Sequence, residues 1–279
     1  MNKKKILILL LSSHKYPSPR NEYTQQITWI PIANKNNIEV INIIGGYKKT
    51  ELSGNYLKLS SNDGIMGVTQ KTLDSLEWVN ENMDYEYVLR VNSSSYINIP
   101  NLVNFVNTLD AKDIYCGNIL HLRIMDLDFV SGSGILFNKS TISKLIKNKH
   151  ELDYKVIDDV AIGLLFKKLK IKPIQSNFKE IKDIVFFDNI PDMTFHYRCK
   201  LEDYGYPRFF EKYNMIFLHN KIMNFKTKLP KKIIWIVIFK ITKSLNIKYY
   251  LNKYIFRNRH LRNKIRKYKN NILRSVKNV

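Results

Sequence analysis

Residues 87–100 read YVLRVNSSSYINIP. Tyr87, Val88, Leu89 and Val91 are strand formers, and their run stops at Asn92, Ser93, Ser94 and Ser95, with Pro100 closing the stretch. So apolar a run suits a strand buried on both faces, as in a parallel sheet. The cluster after it is uncharged, an amide followed by hydroxyls. A strand end that holds a divalent cation would instead carry carboxylates.

Outward from this stretch the chain alternates strand-like and helix-like segments. On the N-terminal side, KKILILLLSS reads as a first strand and EYTQQITWI as a short helix with Tyr23, Ile27 and Ile30 on one stripe. IEVINIIGG is a second strand ended by a glycine pair that permits a sharp turn, and NYLKLS a short third. TQKTLDSLEWVNENM follows as a helix with Leu73, Leu76, Val79 and Met83 on one stripe and Thr69 as N-cap. On the C-terminal side, PNLVNFVNTL is a helix with Pro100 near its first turn. FVSGSGILFNKSTISKLI reads as a glycine-rich turn, a strand and a capped helix. DDVAIGLLFKKLKI reads as a helix whose apolar face is Val160, Leu164, Leu165 and Leu169. This alternation specifies an α/β sheet with parallel strands, in which ligands gather at the carboxyl ends, where Asn92 to Ser95 lie.

Composition bounds the rest. A chain of 279 residues, 44% hydrophobic, buries a full core. The net charge of +22 suggests nucleic acid until it is mapped: residues 221–279 hold 18 Lys or Arg and no Asp or Glu, leaving 28 basic and 24 acidic residues before them. We therefore expect a body over 1–220 and a basic, amphipathic, mostly helical extension over 221–279. The extension suits an anionic membrane surface, or a helix packed on the body with a solvated basic face. Nucleic acid is not expected, because no recognition motif accompanies the charge. Cys116 and Cys199 lack metal-ligand spacing and read as free thiols of a reducing compartment. The apolar run Ile6 to Leu11 is a buried strand rather than an export signal, and no run of 18 apolar residues occurs, so no membrane span is expected. The expected location is cytoplasmic, peripheral on a membrane if the extension binds one.

Each candidate for chemistry has an ordinary alternative. Asp158 and Asp159 open a helix, where carboxylates serve equally as caps or as catalytic groups. Gly132, Ser133 and Gly134 of SGSG form either a tight turn or a cradle for a phosphate or sugar. His196 and Arg198 of FHYR share one side of an extended segment, which suits a diphosphate or an ordinary salt bridge. Lys71 and Arg90 are further cations near the strand ends.

In order, KILILLLSS, TW at 28–29, IEVINIIGG, TQKTLDSLEWV, YEYVLRVNSSSYINIPNL, FVSGSGILFNKS, IDDVAIGLLFKKLKI and FHYR resemble the β-1,3-galactosyltransferase and Fringe group of family 31 glycosyltransferases. The likeness is greatest to the divergent bacterial and large-virus members, and spans roughly residues 4–215. It implies a GT-A type, Rossmann-like mixed sheet flanked by helices. It further implies inverting transfer of a hexose-type sugar from a nucleotide sugar, UDP-linked in expectation, to a hydroxyl of a glycan or lipid-linked saccharide. Asp159 matches the general base of the family's (E/D)DV motif, with Asp158 in support. The resemblance sets Gly132, Ser133 and Gly134 on the acceptor side. It sets Asn92, Ser93, Ser94, Lys71, Arg90, His196 and Arg198 around the donor.

Asn92 and Ser94 stand where the family's acidic DxD motif holds manganese. No cofactor is therefore expected to be required, with cations such as His196 and Arg198 stabilising the leaving group. If Mn²⁺ or Mg²⁺ is used, His196 and Ser94 are the residues to hold it. The alternative function is a catalytically inactive protein of the same fold that binds glycan or nucleotide as a scaffold.

Overall fold

A computed structural model of the chain describes residues 4–183, 190, 193–204 and 207–224. The expected basic extension, apart from its first residues 221–224, lies outside the described residues.

The strand that ends in the uncharged cluster lies at the centre of the fold. An eight-stranded sheet runs in the order β3-β4-β2-β1-β5-β8-β7-β9. Its members are β1 (Ile6–Leu11), β2 (Glu39–Ile44), β3 (Glu51–Ser53), β4 (Tyr56–Lys58), β5 (Tyr87–Asn92), β7 (Tyr115–Leu122), β8 (Leu127–Asn138) and β9 (Ile174–Gln175). Strands β4, β2, β1 and β5 are mutually parallel, with Leu11 level with Asn92. Strand β8 runs antiparallel to β5, pairing Val91 with Gly134. Residues before Gly134 therefore project past the carboxyl end of β5. A second sheet, β10-β11-β6, comprises β6 (Ser95–Ile97), β10 (Phe178–Glu180) and β11 (His196–Arg198). It starts where β5 stops, so the polar cluster is the hinge between the two sheets.

Among the described residues, helices α1 (Ser18–Gln26), α2 (Ile30–Lys35), α3 (Val68–Asn82), α4 (Ile99–Asn107), α5 (Lys139–Lys147), α6 (Asp158–Lys168) and α7 (Phe210–Ile222) accompany the strands. Every residue of β1 is buried, as a strand covered on both faces requires. On one face Leu7, Leu9 and Leu11 join Leu73, Leu76 and Val79 of α3, Ile142 and Leu145 of α5, and Ile162, Leu165 and Phe166 of α6. Phe166 meets the Tyr115 ring edge-on at 4.7 Å and seats α6 against β7 and β8. Burying such a ring contributes on the order of 1.5–3 kcal/mol. The α/β mixed sheet with flanking helices is thus as the resemblance implied; the alternation alone pointed to parallel strands, and β8 runs antiparallel to both of its neighbours. No helix among the described residues is long and apolar enough to cross a membrane.

Four local expectations are corrected. The SGSG segment is no turn but part of the continuous strand β8. Thr69 lies inside α3, whose N-cap position is Gly67, and its hydroxyl donates to the Val156 carbonyl at 2.6 Å. The buried face of α6 is Ala161, Ile162, Leu165 and Phe166, with Val160 and Leu164 only half-buried. Of the expected stripe, Tyr23 of α1 is 63% and Ile27, its C-cap, 51% exposed, while Ile30 opens α2 and is buried; the buried residues of α1 are the polar Asn21, Glu22, Thr24 and Gln25. That inversion occurs because α1 faces polar strand ends rather than the apolar core.

Candidate active site

At the carboxyl end of β5, the Asn92 side-chain oxygen accepts from the Ser94 N–H at 3.2 Å, the Ser94 hydroxyl at 2.8 Å and the Ser95 hydroxyl at 3.2 Å. The turn is therefore closed upon its own amide, a local pattern that Asn followed by Ser readily forms. Ser93 approaches the Ser18 hydroxyl at 3.2 Å, and Gln25 donates to the Ser95 carbonyl at 2.8 Å, so the buried polar face of α1 holds the turn from outside. Ser95 also contacts the Ser133 carbonyl at 3.1 Å and His196 Nε2 at 3.0 Å.

These contacts join the turn to β8, and β8 joins it to the aspartate pair. Asp159 Oδ2 accepts from the Gly132 N–H at 2.8 Å, and its Oδ1 from the Val160 N–H at 2.9 Å. A Cβ on Gly132 would lie 3.1 Å from Asp159 Oδ2 and 3.3 Å from Asp158 Oδ1. Glycine here is what lets both carboxyl groups lie against the strand. Burial raises the Asp159 pKa above the ordinary carboxylate value, and the neighbouring Asp158 charge adds to the rise. The Gly132 and Val160 N–H groups and Arg90 oppose it. Asp158 is differently held: its Oδ2 accepts from the Thr72 hydroxyl at 2.7 Å and from the Arg90 guanidinium, which also donates to the Gly132 carbonyl. Arg90 and Asp158 are both buried. The two aspartates thus differ in environment: Asp158 is held by a cation and a hydroxyl, whereas Asp159 accepts from two backbone N–H groups.

The remaining cations are engaged. Lys71 donates to the Ser12 carbonyl and to Asp63, each at 2.9 Å. Asp63 also accepts from the Ser13 hydroxyl at 2.9 Å, the His14 N–H at 3.0 Å and the Gly45 N–H at 3.1 Å, tying the ends of β1 and β2 to α3. Burial alone would raise the Asp63 pKa, but Lys71 and the N–H donors outweigh it and hold the group below its usual range. The sequence reading missed Asp63, whose only signal is its place in the NDG turn before the helix bearing Lys71. Arg198 bonds Glu180 at 3.1 Å and Asp203 at 3.4 Å. His196 is a correction. It is buried, and burial, helped by the Arg198 charge, lowers its pKa to about 3, so it is neutral near pH 7 and cannot serve as a cation. Its ring fills the space over Gly134, where any Cβ would collide with it.

Glu22, also unforeseen, accepts from Ser12 at 2.9 Å and from the Tyr56 hydroxyl. Beside it a cavity of about 310 Å³ opens at the ends of β1 and β2, lined by Ser13, His14, Glu22, Tyr23, Ile44 and Tyr56 among others.

A divalent cation fits this donor set poorly. Asn92 and Ser94 bring no negative charge, and the Asn92 oxygen already accepts three hydrogen bonds. Among the described residues no group of three or more His, Cys, Asp or Glu could hold a metal ion.

No protein-family model and no characterised protein sequence matches the chain. Solved structures similar to it include a 4-diphosphocytidyl-2C-methyl-D-erythritol synthase from Anaerococcus prevotii, 14% identical, with a TM-score of 0.40 over 63% of this chain and 89% of that one. A glycosyltransferase involved in glycosylation of the major capsid of PBCV-1 is 10% identical, with a TM-score of 0.45 over 75% of this chain and 99% of that one. The galactosyltransferase LgtC, in complex with donor and acceptor sugar analogs, is 10% identical, with a TM-score of 0.45 over 81% of this chain and 98% of that one. No residue role follows from likenesses at this level.

Proposed function

We propose that the protein is an inverting glycosyltransferase that moves a hexose from a nucleotide sugar, UDP-linked in expectation, to a hydroxyl of a glycan or lipid-linked saccharide. The observation that carries the reading is Asp159. It is a carboxylate with a raised pKa at a helix N-terminus, laid across Gly132 beside the carboxyl end of β5. A general base works best when its pKa approaches the working pH, and positioned proton transfer contributes about 10²–10⁴-fold. The acceptor hydroxyl gives its proton to Asp159 while its oxygen bonds the anomeric carbon. The bond to the diphosphate breaks on the opposite face, and the nucleoside diphosphate takes the electron pair. Asp158, fixed by Arg90 and Thr72, positions the helix start. The cavity beside Glu22 and Tyr56 is assigned to the nucleoside; its lining residue Ser13 is joined through Asp63 to Lys71 of α3.

In this reading no divalent metal is required. Residues 221–279 hold the protein to anionic membranes; salt-reversible binding of the full chain to phosphatidylserine vesicles is expected, and an absence of binding rejects it. The deciding experiment incubates the protein with a panel of nucleotide sugars and measures free nucleotide. Release from at least one donor, accelerated by an acceptor, is the expected result. No release from any donor leaves the inactive scaffold as the better reading.

A further inference from the structure

Apolar side chains scattered singly over a surface need no explanation, whereas a group of them beside a reactive carboxyl does. Ile65 is 75% and Met66 73% exposed, on the single turn Ile65–Gly67 that leads into α3. Ile157, 46% exposed, immediately precedes the aspartate pair. Two hydrogen bonds hold these segments together: Thr69 to the Val156 carbonyl at 2.6 Å and Thr72 to Asp158 at 2.7 Å. The N-terminal turns of α3 and α6 are thus tied together, and their exposed residues include the large apolar Ile65, Met66 and Ile157 beside the polar Gln70. None of the three belongs to the buried core, so the fold does not need their hydrophobicity.

Their position limits what covers them. A hydroxyl that donates its proton to Asp159 must come within hydrogen-bond reach of it, about 3 Å. The molecule carrying that hydroxyl therefore extends over the residues next to Asp159, of which Ile157 is two positions away. A free polar sugar gains nothing from isoleucine and methionine side chains, but an alkyl or isoprenyl chain attached to the sugar does.

We propose that the acceptor is a saccharide bearing an apolar aglycone, and that this aglycone lies on Ile65, Met66 and Ile157. The inference rests on Asp159 being the base of a sugar transfer and narrows the acceptor from glycans in general to lipid-like glycosides.

The test is isothermal titration of the full chain with methyl and octyl β-glycosides of glucose, galactose and N-acetylglucosamine, kept below micelle-forming concentrations. For at least one sugar the octyl form should bind about tenfold tighter or more, as burial of several methylenes predicts. Ile65→Ser/Met66→Ser and Ile157→Ser, all at exposed positions, should each reduce that advantage by about threefold or more, and in turnover assays raise KM for the octyl acceptor at constant kcat. Equal binding of the methyl and octyl forms, or an octyl advantage that survives all three substitutions, overturns the proposal. So does a wild-type affinity for sugar-free phosphatidylcholine vesicles that these substitutions abolish, since the three side chains would then serve a bilayer. If octyl binding behaves as expected but no nucleotide sugar is ever consumed, the transferase reading fails and the apolar platform stands. If sugar is transferred to hydrophilic acceptors without octyl preference, the transferase reading stands and the platform fails.

Discussion

Asp159 carries two opposed demands. The burial that raises its pKa makes it a better base, and it also makes the ionised form costly to the fold. In the unfolded chain the group titrates near 3.8, and in the folded chain above it. The folded state therefore holds the extra proton between those values, and stability falls as pH rises through that window. Asp159→Asn should consequently lose transfer by about 10²-fold or more while melting no lower than wild type. Steady-state rates and thermal melts read the two effects separately; near-normal turnover would remove Asp159 from the mechanism. In wild type the acid limb of kcat against pH should fall above the usual carboxylate range, because only the deprotonated base is active. Arg90 has the opposite balance. Its guanidinium is buried against Asp158, and removing one partner of a buried pair costs about 3–5 kcal/mol. Arg90→Met should therefore shift the urea midpoint strongly downward, and adding Asp158→Asn should recover part of the loss. Independent, additive losses would mean the two side chains are not coupled.

At the scale of elements, β8 determines what the site can be. Gly134 leaves room for the neutral His196 ring, which bridges to Ser95, so the strand fixes the turn from one side and the aspartates from the other. Gly134→Ala should overpack this crossing and destabilise the protein by about 1–3 kcal/mol, measured by urea unfolding. An unchanged midpoint would show that the ring can move aside. The same ring gives stability a pH dependence. With a folded-state pKa of about 3 against 6.5 when free, His196 takes up a proton on unfolding, so stability declines as pH falls below 6.5. The slope is about 1.4 kcal/mol per pH unit well below 6.5, and His196→Asn should flatten it. Much of this architecture was legible in the sequence: β1, β2, β5, α3 and α6 announce themselves through apolar runs and helical stripes. SGSG did not, because glycine and serine are turn formers locally, and only the antiparallel pairing with β5 and β7 draws them into a strand. The inverted α1 was hidden for a related reason. Its buried face is polar since its partners are Ser12, Ser95, Tyr56 and Glu211, contacts that span up to 190 positions in sequence and leave no local pattern.

For the whole molecule the question is how a doubly charged leaving group departs from a site without acidic residues to hold a cation. The sequence pointed to Lys71, Arg90, His196 and Arg198 as substitutes. Three of them are matched to Asp63, Asp158, and Glu180 with Asp203, and the fourth is neutral. Those pairings join α3 to β1 and β2, β5 to α6, and β11 to β10, so the charges that looked catalytic brace the frame of the site. The aspartate pair and the polar turn could be singled out as candidates because their chemistry is written in adjacent positions. Whether a cation is paired depends on partners far along the chain. With its amide oxygen closed upon Ser94 and Ser95, Asn92 offers a divalent ion a neutral and already occupied donor. Transfer should accordingly proceed at the same rate in millimolar EDTA as without it, and added manganese should not raise it by more than about twofold, a change worth less than about 0.5 kcal/mol in barrier height. A rate that collapses in EDTA and returns with manganese would show that the neutral turn, with the diphosphate itself as co-ligand, binds metal after all.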